Sequence, residues 1–102
     1  MDRLTMLKKI VGERPGEPFP LYGLAMEYRR LGQLDDAWNA FKQLIERNPD
    51  YVPTYLMAGG VLVAMDQKEQ ATDIYEQGIA LTKRCGDGHA QQELESALGE
   101  LQ

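Results

Sequence analysis

Residues 18–51 and 52–85 overlay without a gap at a period of 34. The register sets Leu21 over Tyr55, Ala25 over Gly59, Ala37 over Ala71, Phe41 over Tyr75 and Ile45 over Ile79, although only four of the 34 aligned pairs are identical. What repeats is residue class. A fixed period of this length constrains the fold more than any single motif. It marks a supersecondary unit that cannot bury its apolar face alone and must stack on a neighbour. Stacked repeats usually hold partners, so binding is the first function class to consider.

Apolar spacing predicts six helices. The first, about residues 2–13, sets Leu4, Leu7, Ile10 and Val11 on one face. Three prolines and Gly16 between Arg14 and Pro20 break it. The second starts at Pro18 or Pro20, where proline is tolerated in a first turn, and Gly32 ends it near Leu31. The third, about 34–47, carries the stripe Ala37, Phe41, Leu44 and Ile45, and Asn48-Pro49-Asp50 stops it. The fourth runs from Pro53 to about Met65 and is apolar on most of its circumference, which predicts cover on more than one side. Asp66 with Glu69 reads as a capping box opening the fifth, which extends to about Arg84. After Cys85-Gly86-Asp87-Gly88, the sixth carries Ala90, Leu94, Ala97, Leu98 and Leu101 on one stripe, with Gln91, Gln92, Glu93, Glu95 and Glu100 elsewhere. One apolar face on a polar helix suits a cap that seals the end of a repeat array.

The residues at these offsets resemble the tetratricopeptide repeat family. Its 34-residue helix-turn-helix unit has a large residue at the fourth position, a small one at the eighth, Tyr at the eleventh, Gly near the fifteenth, Ala at the twentieth, an aromatic at the twenty-fourth and Pro at the thirty-second. Leu21, Ala25, Tyr28, Gly32, Ala37, Phe41 and Pro49 match in the first unit. Tyr55, Gly59, Ala71, Tyr75 and Ile79 match in the second, which has Leu62 for the Tyr, Asp66 for the turn Gly, Gly78 for a usual Ala and Lys83 for the Pro. One period earlier, Leu7, Ile10, Val11 and Pro15 fall under Phe41, Leu44, Ile45 and Pro49, so residues 1–17 resemble the second helix of an incomplete repeat. The resemblance implies one all-α domain of residues 1–102, a short right-handed solenoid of antiparallel helix pairs. Its parts are a half-repeat 1–17, repeats 18–51 and 52–85, and a capping helix 86–102.

The resemblance also implies where recognition lies: on the concave side, at the second, fifth, ninth, twelfth and thirteenth positions of each unit. These are Phe19, Tyr22, Met26, Arg29 and Arg30, then Pro53, Leu56, Gly60, Val63 and Ala64, with Asp87, Ala90 and Leu94 added from the cap by the same register. Phe19, Tyr22, Met26, Arg29, Arg30, Leu56, Gly60 and Val63 are the expected partner-binding residues, an apolar groove with a basic edge. Aromatic and Met side chains there suit a peptide segment with apolar anchors, and Arg29 or Arg30 suits an acidic neighbour. The plainer reading makes some of Tyr22, Met26, Leu56 and Val63 core, covered by the terminal helices. The family's clamp for chaperone C-termini needs Lys and Asn where Tyr22 and Met26 stand, so that ligand is not expected. Homodimerisation through the apolar surface is the competing use.

Composition narrows the classes further. A net charge of −5 over 102 residues argues against a nucleic-acid surface, which needs clustered Lys and Arg. Lys8 and Lys9 interrupt the N-terminal apolar stretch, so no secretory leader is expected, and nothing approaches 18 consecutive apolar residues, so no membrane span is expected. A lone cysteine agrees with a reducing cytoplasm. Catalysis is not expected. Gly59-Gly60 lies inside an apolar helix without the strand or Lys of a phosphate cradle. Cys85 and His89, four apart, are two of the ligands a zinc site needs and have no third group to orient them as nucleophile and base. Asp35-Asp36 reads as first-turn charge facing a helix dipole. The expectation is a non-catalytic interaction module or adaptor with no cofactor and no metal.

Overall fold

The computed structural model describes residues 1–102 and contains α-helices only: α1 Arg3–Glu13, α2 Pro18–Arg30, α3 Leu34–Arg47, α4 Pro53–Ala64, α5 Lys68–Cys85 and α6 Gly88–Glu100. Two compact units divide at the repeat junction, Met1–Tyr51 and Val52–Gln102. Each holds one helix hairpin of the 34-residue pattern and one further helix. The packing groups residues 1–17 with the first repeat and 86–102 with the second.

In the first unit, α2 lays Leu21, Leu24 and Ala25 inward, and α3 supplies Ala37, Ala40, Phe41 and Leu44; all are buried. Ala25 and Ala37, expected at the close crossing of the pair, are at 0% exposure. Without side-chain bulk at such a crossing, two helix axes can approach to the near end of the usual 8–10 Å range. α1 is opened by Asp2, whose carboxylate accepts the Thr5 N–H at 2.8 Å. Its stripe of Leu4, Leu7, Ile10 and Val11 is half-buried, and Leu7 Cδ2 would lie 3.5 Å from a Cβ at Gly23. α1 therefore lies across α2.

The turn inside each hairpin closes in the same way. The Gln33 N–H donates to the Tyr28 carbonyl at 2.9 Å, and 34 residues later the Gln67 N–H donates to Leu62 at 2.8 Å. A bond across six residues of this kind requires a left-handed residue just past the helix end. Gly32 (φ 77°) supplies it in the first unit and Asp66 (φ 61°) in the second. Asp66 thus ends α4 instead of opening α5: Gln67 is the residue before α5, and no side-chain cap forms there. The expected capping box is corrected by the turn. Asp is among the few side chains that tolerate φ > 0, and the Gln67–Leu62 bond holds it there. α3 stops at Asn48-Pro49 after 14 residues, whereas α5, with Lys83 in the proline position, continues for 18 residues to Cys85 and ends on Gly86 at φ 76°.

The second unit solves the same packing problem with different volumes. Tyr55 stands where the first unit has Leu21, and Gly78 stands where it has Leu44. A Cβ on Gly78 would meet Tyr55 Cβ at 2.7 Å and Leu94 Cδ1 at 3.0 Å. The second unit likewise has Gly59 and Tyr75 for Ala25 and Phe41, and a Cβ on Gly59 would lie 2.1 Å from Tyr75 Cε1. The ring added at Tyr55 is matched by the side chain missing at Gly78, and the methyl missing at Gly59 leaves room for the Tyr75 ring, which limits the change in core volume. α6 seals the unit with Leu94, 1% exposed. α4 is buried through Thr54, Tyr55, Ala58, Gly59, Val61 and Leu62, yet Gly60, Val63 and Ala64 are exposed. Its apolar circumference is thus covered on one broad side within the unit.

Adjacent glycines in α4 should respond oppositely to one methyl group. Gly60 faces open space, so Gly60→Ala gains helix propensity of about 0.5–1 kcal/mol. At Gly59 the Tyr75 ring fills the space, and overpacking costs about 1–3 kcal/mol. In urea denaturation, Gly60→Ala should therefore raise the midpoint and Gly59→Ala lower it. A rise for both would show that Tyr75 moves aside freely.

Candidate functional site

On the outward side of α2, Phe19, Tyr22, Met26, Arg29 and Arg30 line one open cleft of about 540 Å³, together with Arg3 from α1, Gly23 and Glu27. The structure thus brings together all five residues expected of the first repeat. Their offsets from Phe19 are three, seven, ten and eleven, which keeps them on one helical stripe. The inward residues Leu21, Leu24 and Ala25 fix that orientation. Phe19 is 72% exposed, an unusual state for so large an apolar ring.

Tyr22 has two roles. It lines the cleft, but its ring also stacks edge-on against Phe41 (centroids 6.1 Å apart) and Tyr51 (5.7 Å). Burial raises the pKa of its hydroxyl, the neighbouring Tyr51 adds to the rise, and Arg29 opposes it. Tyr22 therefore belongs partly to the core of the first unit, as the plainer sequence reading allows.

Two residues that sequence reasoning missed set the charge of the cleft. Glu27 is 4% exposed and sits between two guanidinium groups. Arg30 Nη2 donates to Oε2 at 2.6 Å and Arg30 Nε to Oε1 at 3.0 Å, while Arg3 Nε lies 3.2 Å from Oε1. This two-point fork is the geometry in which Arg holds a carboxylate best. The hydrogen bond from Arg30 is the main cause of a Glu27 pKa below the ordinary carboxylate value, with desolvation opposing it and the charges of Arg30 and Arg3 adding to it. Arg30, expected to select an acidic neighbour, is therefore already engaged inside the chain. Arg29, exposed, has no salt bridge. The spacing of Glu27 to Arg30 was legible as an i, i+3 pair; the reach of Arg3 from another helix was not.

In the second unit the expected residues do not share one site. Leu56 lines a separate cleft of about 470 Å³ with His89, Gln92, Glu93, Ser96, Ala97 and Glu100 of α6. Gly60, and Val63 at 38% exposure, lie further along α4 on the same stripe, outside that cleft. Pro53 and Ala64 are exposed. Of the residues assigned to the groove from the cap, Leu94 is core, a correction. Asp87 accepts the Ala90 N–H at 3.1 Å as helix cap, and Ala90 is half-buried. Burial in α6 follows that in α4 two residues later than a 34-residue register gives: Leu94, Ala97 and Leu98 are covered as Ala58, Val61 and Leu62 are. The longer α5 carries the extra residues. Gln92 and Ser96 therefore occupy the places that correspond to Leu56 and Gly60.

Cys85 is exposed, with its thiol 3.8 Å from the Thr82 carbonyl. His89 is 86% exposed and lies 3.4 Å from Glu93. No three His, Cys, Asp or Glu side chains are grouped as a metal site would require, and no helix is long and apolar enough to cross a membrane.

With the helix hairpins and their turns in view, the family can be assigned. The family model of the tetratricopeptide repeat matches residues 28–98. A tetratricopeptide repeat domain protein of Salinibacter ruber, known from a crystal structure, is 33% identical over 83% of this chain and 94% of that one, with a TM-score of 0.78. The chain belongs to the tetratricopeptide repeat family, and its fold is the all-α repeat fold expected from the spacing. Two more distant structures share that fold. Protein BPP2914 of Bordetella parapertussis is 20% identical over 99% of this chain and 88% of that one, TM-score 0.84. The TPR2B domain of yeast Sti1, solved in a complex with pHsp70, is 13% identical over 96% and 78%, TM-score 0.89. Comparison with curated proteins gives no match.

The Glu27 pairing has a pH signature. Because the folded pKa is depressed, its contribution is present above the unfolded value, about 4.3, and is lost as pH falls through the lower folded value. Thermal melts between pH 7 and pH 3 should show wild type losing stability below about pH 4.3, with a shallower acid loss in Glu27→Gln. Parallel profiles would remove Glu27 as a source of acid sensitivity.

Proposed function

We propose that the chain is a non-catalytic protein-interaction module that binds a peptide segment or protein surface through the outward stripe of α2, with the exposed stripe of α4 as a second apolar surface. The observation that carries this reading is the α2 cleft: Phe19, Tyr22 and Met26 present apolar area beside guanidinium groups, on a helix whose opposite side is fixed in a core. Large aromatic and Met side chains at an open surface are what interface anchors consist of. Family membership points the same way, since repeat scaffolds of this kind are used to present binding surfaces. The Sti1 domain is an instance of the fold in a complex. Its particular ligand is not carried over, because Tyr22 and Met26 stand at the positions that the resemblance to a chaperone clamp reserves for Lys and Asn. The exposed placement of Cys85 and His89 supports a non-catalytic reading, and a lone free thiol fits a place in the cytoplasm.

Phe19 and Val63 are the residues to change, because both are exposed, whereas Tyr22→Ala would also remove contacts to Phe41 and Tyr51. Phe19→Ala/Val63→Ser should keep the helicity and melting temperature of wild type. In a pull-down from lysate it should lose at least tenfold of a protein that the wild type retains. Equal capture by both forms would move the site off these stripes, and capture only of untagged copies of the chain itself would make self-association its use.

A further inference from the structure

We infer that the α2 cleft selects an acidic peptide: a segment in which one aromatic or aliphatic side chain seats on Phe19, Tyr22 and Met26, while an Asp or Glu carboxylate binds the free guanidinium of Arg29. The inference rests on the reading of α2 as the interaction surface and specifies its partner.

Charge carries it. The cleft holds three guanidinium groups, Arg3, Arg29 and Arg30, against one carboxylate, Glu27. That carboxylate is buried and already satisfied by Arg30 and Arg3, so it neither repels an incoming anion strongly nor competes for Arg29. Arg29 is exposed at the end of the apolar ladder with no salt bridge of its own, and a guanidinium fork takes a carboxylate at two points. The balance of charge favours an acidic ligand on this unit over the other. Residues 1–51 contain eight basic and eight acidic residues, whereas residues 52–102 contain three basic and eight acidic. The whole excess of −5 therefore lies in the second unit.

Helix geometry sets the spacing. At 1.5 Å per residue, Arg29 lies about 10 Å along α2 from Tyr22 and about 15 Å from Phe19. An extended peptide covers this in about three to five residues, so the apolar and acidic residues of the ligand should stand that far apart.

The test is selection of random 12-residue peptides displayed on phage against the immobilised full chain, followed by titration of the best synthetic peptide. Wild type, Arg29→Gln and Phe19→Ala are compared, each checked for unchanged helicity. The expected peptides pair an aromatic or aliphatic residue with Asp or Glu three to five positions away. Arg29→Gln should weaken binding about tenfold, changing the peptide's acid to its amide should do the same, and the two changes together should cost little more than either alone. Peptides without acidic enrichment that still depend on Phe19 would overturn the acidic selectivity and leave the α2 surface standing. Peptides indifferent to both variants would remove the surface as well. Failure to recover any peptide would overturn the proposal, and a concentration-dependent dimer lost in Phe19→Ala would then assign the cleft to a second copy.

Discussion

The close approach of paired helices is the constraint on which the other features depend. A hairpin that keeps Ala25 and Ala37 fully buried can turn only one side of α2 inward. Once Leu21, Leu24 and Ala25 are committed to the core, the helical period carries Phe19, Met26 and Arg29 to the outside. The candidate site is therefore a geometric consequence of the packing. It needs no dedicated loop, and its side chains stand on a rigid element, which limits the ordering cost of binding. Glu27 adds to that rigidity, because its buried carboxylate is held by Arg30 from its own helix and by Arg3 from α1.

The second unit meets the same constraint by moving volume between residues. Gly59 and Gly78 look like weak points for a helix, since glycine there loses about 0.5–1 kcal/mol relative to alanine. They are instead the room into which Tyr75 and Tyr55 fit. Read as deviations from a repeat pattern, Tyr55 and Gly78 look like decay; read as a pair against Leu21 and Leu44, they look like exchange. Asp66 is similar, since the turn requires a backbone conformation and not a glycine as such.

Helix number and most helix ends were legible in the sequence because they rest on local rules: proline in first turns, Asn48-Pro49 as a stop, glycine past the end, and apolar residues at helical spacing. The misreadings arose where two local rules competed or where a rule was extended too far. Asp66 with Glu69 satisfies the pattern of a capping box, but the backbone bond from Gln67 to Leu62 needs Asp66 in the turn. Continuing the period of 34 puts Leu94 on the surface, which fails once α5 lacks its proline and runs longer. In the site, the stripe of α2 was visible because it follows from one helix. The Arg3 contact to Glu27 was not, because it joins residues 24 apart whose geometry depends on how α1 lies on α2.

Most tetratricopeptide-type residues in this chain serve packing, and few are left for recognition. The central claim is that the outward stripe of α2 is where a partner binds. The most direct measurement is titration of the ¹⁵N-labelled chain with a bound peptide, following backbone amide shifts. The account predicts the largest changes along α2 from Phe19 to Arg30, with α3 amides little changed. Largest changes on α3 or α5, with α2 silent, would contradict it.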